Sequence, residues 1–207
     1  PRYTDTPFVV EDTREGWVDL IGTVLNSFVG RGSYPKSIDY SKVRPFGAPI
    51  RGVGGVASGP DPLKKLVASL TNLLLVEEPS RITSSQIVDI FNLIGVCVVA
   101  GNVRRTAEIM FGDPNDLEFA ALKDPTSLND LYAKQSETVP DTDEWKEIQK
   151  QIEGHPLRTH RWASNNSIFA TVGMDYSKVA EKIALNGEPG LVWLKAMRNF
   201  GRMVDPP

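Results

Sequence analysis

The chain has 207 residues, 41% of them hydrophobic and 24% charged, with a formal net charge of −3. That length suits one domain or a piece of a larger one with a sizeable core, and the charge excludes any general attraction to nucleic acid or anionic membrane, so a polyanion must be bound locally. No apolar run is clean enough to span a bilayer, no basic and apolar leader opens the chain, and one cysteine excludes an internal disulfide and fits a reducing compartment.

Asp12 with Glu15 three residues on makes a capping-box-like start, with Asp12 as the N-cap. The helix it opens carries Trp17, Leu20, Ile21, Val24, Leu25 and Phe28 at i, i+3/i+4 spacing and ends at Gly30 and Gly32. Residues 38–46 read as a short strand and 47–60 as a Gly/Pro-rich loop. Asp61-Pro62 starts a second helix that runs to about Glu77, with Leu63, Leu66, Val67, Leu70, Leu73 and Leu74 on its inner face. A cap at Thr83 or Ser84 begins a third, carrying Ile87, Ile90, Phe91 and Ile94 and ending by Gly101, and a strand follows over 105–111.

Residues 113–153 are polar and acidic and read as a surface excursion with short helices around 115–123 and 141–152. A strand over 165–172, an amphipathic helix over 175–186 and an apolar segment over 189–198, of either type, complete the chain. Strands alternating with helices predict an α/β architecture with parallel strands. The start at Pro1 and stop at Pro207 give the expectation of a piece of something longer.

Several stretches have the composition of a site. Gly52-Val53-Gly54-Gly55-Val56-Ala57 matches the GxGxxA form of a dinucleotide fingerprint, with Glu77 twenty residues beyond Ala57. Its context fails, because Ser58-Gly59-Pro60-Asp61-Pro62 separates the glycines from the next helix and Glu77 closes a helix instead of ending a strand. Glycines there let the backbone turn tightly against a ligand or another loop. Arg44 and Arg51 flank PFGAPI, and taken alone they are two solvated arginines at loop edges.

In VVAGNVRRTAEI (98–109) an apolar run ends at Gly101 and two arginines follow. Free amides and two guanidinium forks can hold phosphates or base edges; a helix-to-strand turn with salt-bridging arginines explains the same residues. Cys97 lies in LIGVCVVAG, where a small thiol simply packs. His155 and His160, at i, i+5 without a third ligand, make a metal site improbable and read as surface or capping residues. Trp162 reads as core, and Ser164-Asn165-Asn166-Ser167 as either turn residues or amides lining a pocket.

Taken in order, DTREGW (12–17), RPFGAPIRGVGGVASGPDPL (44–63), VVAGNVRRTAEI, RWASNNSI (161–168) and NGEPG (186–190) resemble the catalytic chain of ribonucleotide reductases, most of all the monomeric adenosylcobalamin-dependent class II enzymes. The likeness covers nearly the whole chain, with 124–154 least matched. It implies part of a ten-stranded α/β barrel, residues 1–60 giving the effector-site helix, strand and Gly-rich loop and 61–207 barrel helices and strands.

The resemblance further implies that Asp12 meets an effector ribose, where the usual class II motif has DSREGW and Thr13 keeps the hydroxyl, and that Arg44 and Arg51 grip effector phosphates. Gly101, Asn102, Val103, Arg104 and Arg105 would form the specificity loop, Arg104 reaching the substrate, with Ser58, Gly59, Asn165 and Asn166 candidate pocket residues. No catalytic residue falls within the chain, since the radical and redox cysteines of the family would lie outside it. The implied partners are a ribonucleotide substrate, a deoxynucleotide effector, the rest of the reductase polypeptide and a thioredoxin-like reductant, and the implied setting is cytoplasmic. The alternatives are a class I metal-radical chain and a non-catalytic nucleotide-binding module.

Overall fold

A computed structural model describes residues 1–50, 55–75, 81–100 and 106–200. The backbone divides into two units, one of residues 1–82 with 93–106 and one of residues 83–92 with 107 onward.

The first unit contains β1 (Arg2–Thr4), β2 (Phe8–Val9), α1 (Arg14–Phe28), β3 (Ser33–Pro35), β4 (Ile38–Asp39), α2 (Asp61–Leu74) and the latter part of α3 (Ser84–Val99). β1 pairs with β3 and β2 with β4, both in parallel. The helical spacing of the sequence puts Leu20 and Val24 of α1, and Leu63, Leu66 and Leu70 of α2, in the interior where α1 meets α2. Each such burial is worth about 1.5–3 kcal/mol, which is what holds these two helices together. Tyr34 of β3 extends this core, its hydroxyl 2.9 Å from Thr71 Oγ1 of α2 and its ring edge-on to Phe28.

Thr13, not Asp12, caps α1: its Oγ1 accepts the Gly16 amide at 3.0 Å. The preceding chain folds back over this first turn, so that a Cβ at Gly16 would lie 2.6 Å from the Glu11 carbonyl oxygen. Asp12 is thereby released from capping. The strand expected over 38–46 is confined to Ile38–Asp39 because the Asp39 carboxylate accepts the Ser41 amide at 2.8 Å and turns the chain.

The second unit holds the first part of α3, then β5 (Glu108–Gly112), α4 (Leu117–Ala120), α5 (Thr126–Glu137), α6 (Asp143–Gly154), α7 (Pro156–Thr159), a 3₁₀ turn at Arg161–Ala163, β6 (Ser164–Ala170), α8 (Ser177–Asn186), β7 (Gly190–Trp193) and α9 (Leu194–Phe200). The sheet is parallel in the order β5-β6-β7, as expected for α/β architecture. One face packs on helices through Ile168 and Met110 against Val88, Phe119, Leu122 and Val179. Gly112 on that face has no room for a side chain, since a Cβ would fall 2.2 Å from the Phe119 ring. Side chains alternate between faces, and the register puts Ile109, Phe111, Asn165, Phe169 and Val192 on the other one. There Ile109 is 54% exposed and Phe111 stacks on Phe169 at 5.6 Å.

The polar excursion after β5 contains an element that sequence periodicity missed. α5 buries nothing, so it has no apolar stripe to read, and it is tied to α6 by Gln135–Gln149 at 2.6 Å and Lys134–Glu144 at 3.6 Å. The segment over 189–198 is both types in succession, a strand to Trp193 and a helix from Leu194. Among the described residues no helix is long and apolar enough to cross a membrane.

Candidate functional site

In the first unit, folding brings together two residues that lie thirty-two positions apart in sequence. Arg44 Nε donates to Asp12 Oδ2 at 2.7 Å. The pair is part-exposed, at 41% and 31% of the two side chains, and Arg44 has no second hydrogen-bond partner among the described residues. A guanidinium carries five N–H donors and a carboxylate several lone-pair sites, so most of this pair's capacity faces outward. Lys42 pairs with Glu11 beside it, which places two cations and two carboxylates at the start of α1.

The Gly/Pro-rich loop that follows is more regular than its composition suggested. Gly47 donates to Ala57 at 2.9 Å, Ala57 to Ala48 at 2.8 Å and Ile50 to Gly55 at 3.2 Å, and Pro49 bridges Val56 in the antiparallel sense. The stem ends at Gly59, whose φ is +70° and where a Cβ would lie only 3.0 Å from the Phe46 amide nitrogen. Arg51 and the first glycines of the fingerprint lie outside the described residues, as do Gly101, Asn102, Val103, Arg104 and Arg105. Ser58 and Gly59 sit on the returning arm, Ser58 half-buried and Gly59 buried.

In the second unit Asn165 and Asn166 occupy opposite faces of β6. Asn166 is buried and engaged: its Oδ1 accepts from Ser164 Oγ at 3.0 Å and its amide donates to Glu188 Oε2 at 3.2 Å. Asn165 is exposed. NGEPG forms the turn behind them, with Gly187 left-handed at φ +82° and the Glu188-Pro189 bond cis.

Sequence reading missed a buried ion cluster. Arg161 grips both carboxylate oxygens of Asp89 at 2.8 Å and donates to the Leu122 carbonyl at 2.8 Å. His160 Nε2 stands 2.9 Å from Asp89 Oδ1. Burial raises the Asp89 pKa, but the hydrogen bonds and charges of Arg161 and His160 outweigh it and hold the carboxyl below its ordinary value. The signal was in the sequence, since an aspartate inside an otherwise apolar helix requires a cationic partner. His160 is therefore not a surface residue; it stands at the N-cap position of the 3₁₀ turn without a side-chain cap bond, and Trp162, expected in the core, is 54% exposed.

His155 does cap, its Nδ1 accepting the Leu157 amide at 3.3 Å. Nδ1 is thus unprotonated in the neutral ring, so Nε2 carries the hydrogen toward Ser127 Oγ at 3.0 Å. A histidine in that tautomer donates to the serine instead of accepting its proton. They line a pocket of about 380 Å³ with Asp124, Asp130 and Arg161. No group of three or more His, Cys, Asp or Glu side chains among the described residues is placed to hold a metal. Cys97 is buried as expected, and burial pushes its thiol up to about 11, away from reactivity.

The chain is similar to several known proteins. A family model described as the insertion domain of B12-dependent ribonucleotide reductase matches residues 3–74. A probable adenosylcobalamin-dependent ribonucleoside-triphosphate reductase from Dictyostelium discoideum is 43% identical over 95% of the chain, and the Euglena gracilis reductase of that name is 41% identical over 97%. A solved B12-dependent (class II) ribonucleotide reductase superposes on 97% of the chain with a TM-score of 0.66 at 32% identity. The chain spans 22% and 24% of the lengths of those two relatives and 24% of the solved chain.

Proposed function

Because the chain belongs to the B12-dependent ribonucleotide reductases, as a stretch of about a quarter of their length, we propose that it is part of a polypeptide that reduces ribonucleoside di- or triphosphates to deoxyribonucleotides by thiyl-radical chemistry. Its own share is effector recognition and the coupling of effector to substrate choice. The radical cysteine and redox pair belong to the remainder, with which this segment completes the enzyme in the cytoplasm. Electrons come from a thioredoxin-like reductant.

The observation that carries the effector reading is the 2.7 Å pairing of Asp12 with Arg44. Asp12 is freed by Thr13, which takes over capping, so its outer oxygen can accept a ribose hydroxyl while Arg44 turns its terminal N–H groups to phosphate. Charge-assisted hydrogen bonds of this kind are short and geometrically selective. Arg51 and residues 101–105 keep the roles their resemblance implies, phosphate contact and base discrimination. Residues 1–60 serve the effector, and residues 61–207 supply barrel elements. What supports the barrel is the parallel β5-β6-β7 sheet, packed on helices on one face and open on the other.

Adenosylcobalamin supplies the radical initiator in this reading. The pocket beside His155, of about 380 Å³, is far too small for a corrin, and Cys97 is buried and protonated, so neither of these features fits it.

The test is reduction of CTP and CDP, with and without adenosylcobalamin, by the complete polypeptide or by this chain mixed with its remainder. Cobalamin-dependent deoxynucleotide is the expected product. Turnover only with a metal-radical subunit would move the chain to class I, and no turnover with retained nucleotide binding would leave a binding module.

A further inference from the structure

Lys123 and Glu188 form a part-buried pair whose partners converge on one residue of β6. Lys123 Nζ lies 3.0 Å from Glu188 Oε1, the two side chains being 12% and 24% exposed. Nζ also donates to the Ser164 carbonyl, and Glu188 Oε2 accepts the Asn166 amide at 3.2 Å. The Ser164 carbonyl belongs to the peptide plane before Asn165, and the Asn166 amide to the plane after it. The pair therefore fixes both planes that define φ and ψ of Asn165, without touching its side chain. The clasp is itself braced: Asn186 donates to the Lys123 carbonyl and accepts the Glu188 amide at 3.0 Å.

The side chain so fixed is exposed and polar. It projects from the open face of the sheet, among Ile109, Phe111 and Phe169. A carboxamide offers two donors and an acceptor, and next to stacked aromatic rings this matches the polar edge and flat face of a nucleoside.

Building on the reductase reading above, we infer that Asn165 contacts the nucleoside part of the substrate, and that Lys123 and Glu188 are positioning residues acting through it. Asn166, whose amide and Oδ1 are both engaged, is removed from the pocket and assigned to the scaffold.

The test uses the complete reductase with CTP or CDP, whichever the unmutated enzyme prefers. Asn165→Ala raises KM by about tenfold, the scale of one hydrogen bond, with kcat changed far less. Glu188→Ala raises KM similarly, and adding it to Asn165→Ala raises KM no further, because both act at one contact. Glu188→Gln, which still accepts the Asn166 amide, restores KM to within about twofold, well under the tenfold loss of one hydrogen bond. Independent, multiplying effects, or a fall in active enzyme at unchanged KM, would overturn the inference and leave the clasp purely structural. An Asn165→Ala enzyme with unchanged KM would overturn it outright. Absence of product from the unmutated enzyme would instead bring down the reductase reading, and this inference with it.

Discussion

Among the described residues each unit contains one aspartate–arginine pair, and the two differ in burial and in geometry. Asp89–Arg161 is bidentate, with the two side chains 6% and 18% exposed, and a third guanidinium bond goes to Leu122. Asp12–Arg44 has a single 2.7 Å bond, with 31% and 41% of its side chains in solvent. A buried pair must satisfy itself completely, because any unmatched charge there meets no water. A part-exposed pair gains little from its own contact, so it is free to leave donors and acceptors turned outward. The first is architecture, and the second has the free capacity that the proposed effector site requires.

The strongest way to break this contrast is Asp89→Ala. It strands Arg161 and His160 in the interior and should cost about 3–5 kcal/mol in chemical denaturation of the chain, whereas Asp12→Ala should cost under about 1 kcal/mol. Equal losses would end the distinction. Next, Arg44→Ala should weaken deoxynucleotide effector binding to the complete enzyme by about 1.5–3 kcal/mol while leaving its melting temperature nearly unchanged. An unaltered dissociation constant in titration calorimetry would remove Arg44 from the receptor.

Replacing each arginine by lysine sharpens the comparison further. Arg161→Lys loses the bidentate grip and the Leu122 bond and should destabilise by about 1–3 kcal/mol. Arg44→Lys should fall under about 1 kcal/mol in the same melts.

The smallest effect concerns pH. Burial, and then the charge of Arg161, hold the His155 pKa below its ordinary value of 6.5. As pH falls, the unfolded chain therefore binds the proton first. The histidine's contribution is complete above the ordinary value and is lost as pH drops through the lower, folded one. His155→Asn, which can still accept the Leu157 amide, should flatten this acid-side slope in denaturation midpoints measured from pH 7 to pH 5.

Helices with a continuous apolar stripe were legible from the sequence: α1 buries Leu20 and Val24, and α2 buries Leu63, Leu66, Val67, Leu70 and Leu74, with Leu25 and Leu73 half-buried beside them. So was the parallel sheet. The short strands β1 to β3 were not, being two or three residues long and held by pairing that no local pattern encodes, and β4 is only the first two residues of the strand expected over 38–46. α5 escaped because nothing on it is buried. At the start of α1, the motif marked Asp12 as the cap, but the hydroxyl one position later caps the helix. The Arg161 cluster was hidden by distance, its two halves lying seventy-two positions apart.

The crossover between β5 and β6 carries α5 and α6 as a hairpin fastened mainly to itself. Only α6 reaches inward, through Ile148 and Ile152. A connection built this way separates the length of the chain from the geometry of the sheet: helical turns can be gained or shed at its tip while β5 and β6 keep their register. For evolution it is a place where drift is cheap. For the experimenter it is the natural position for an inserted label or affinity tag, far in sequence from Asn165, Asp12 and Arg44.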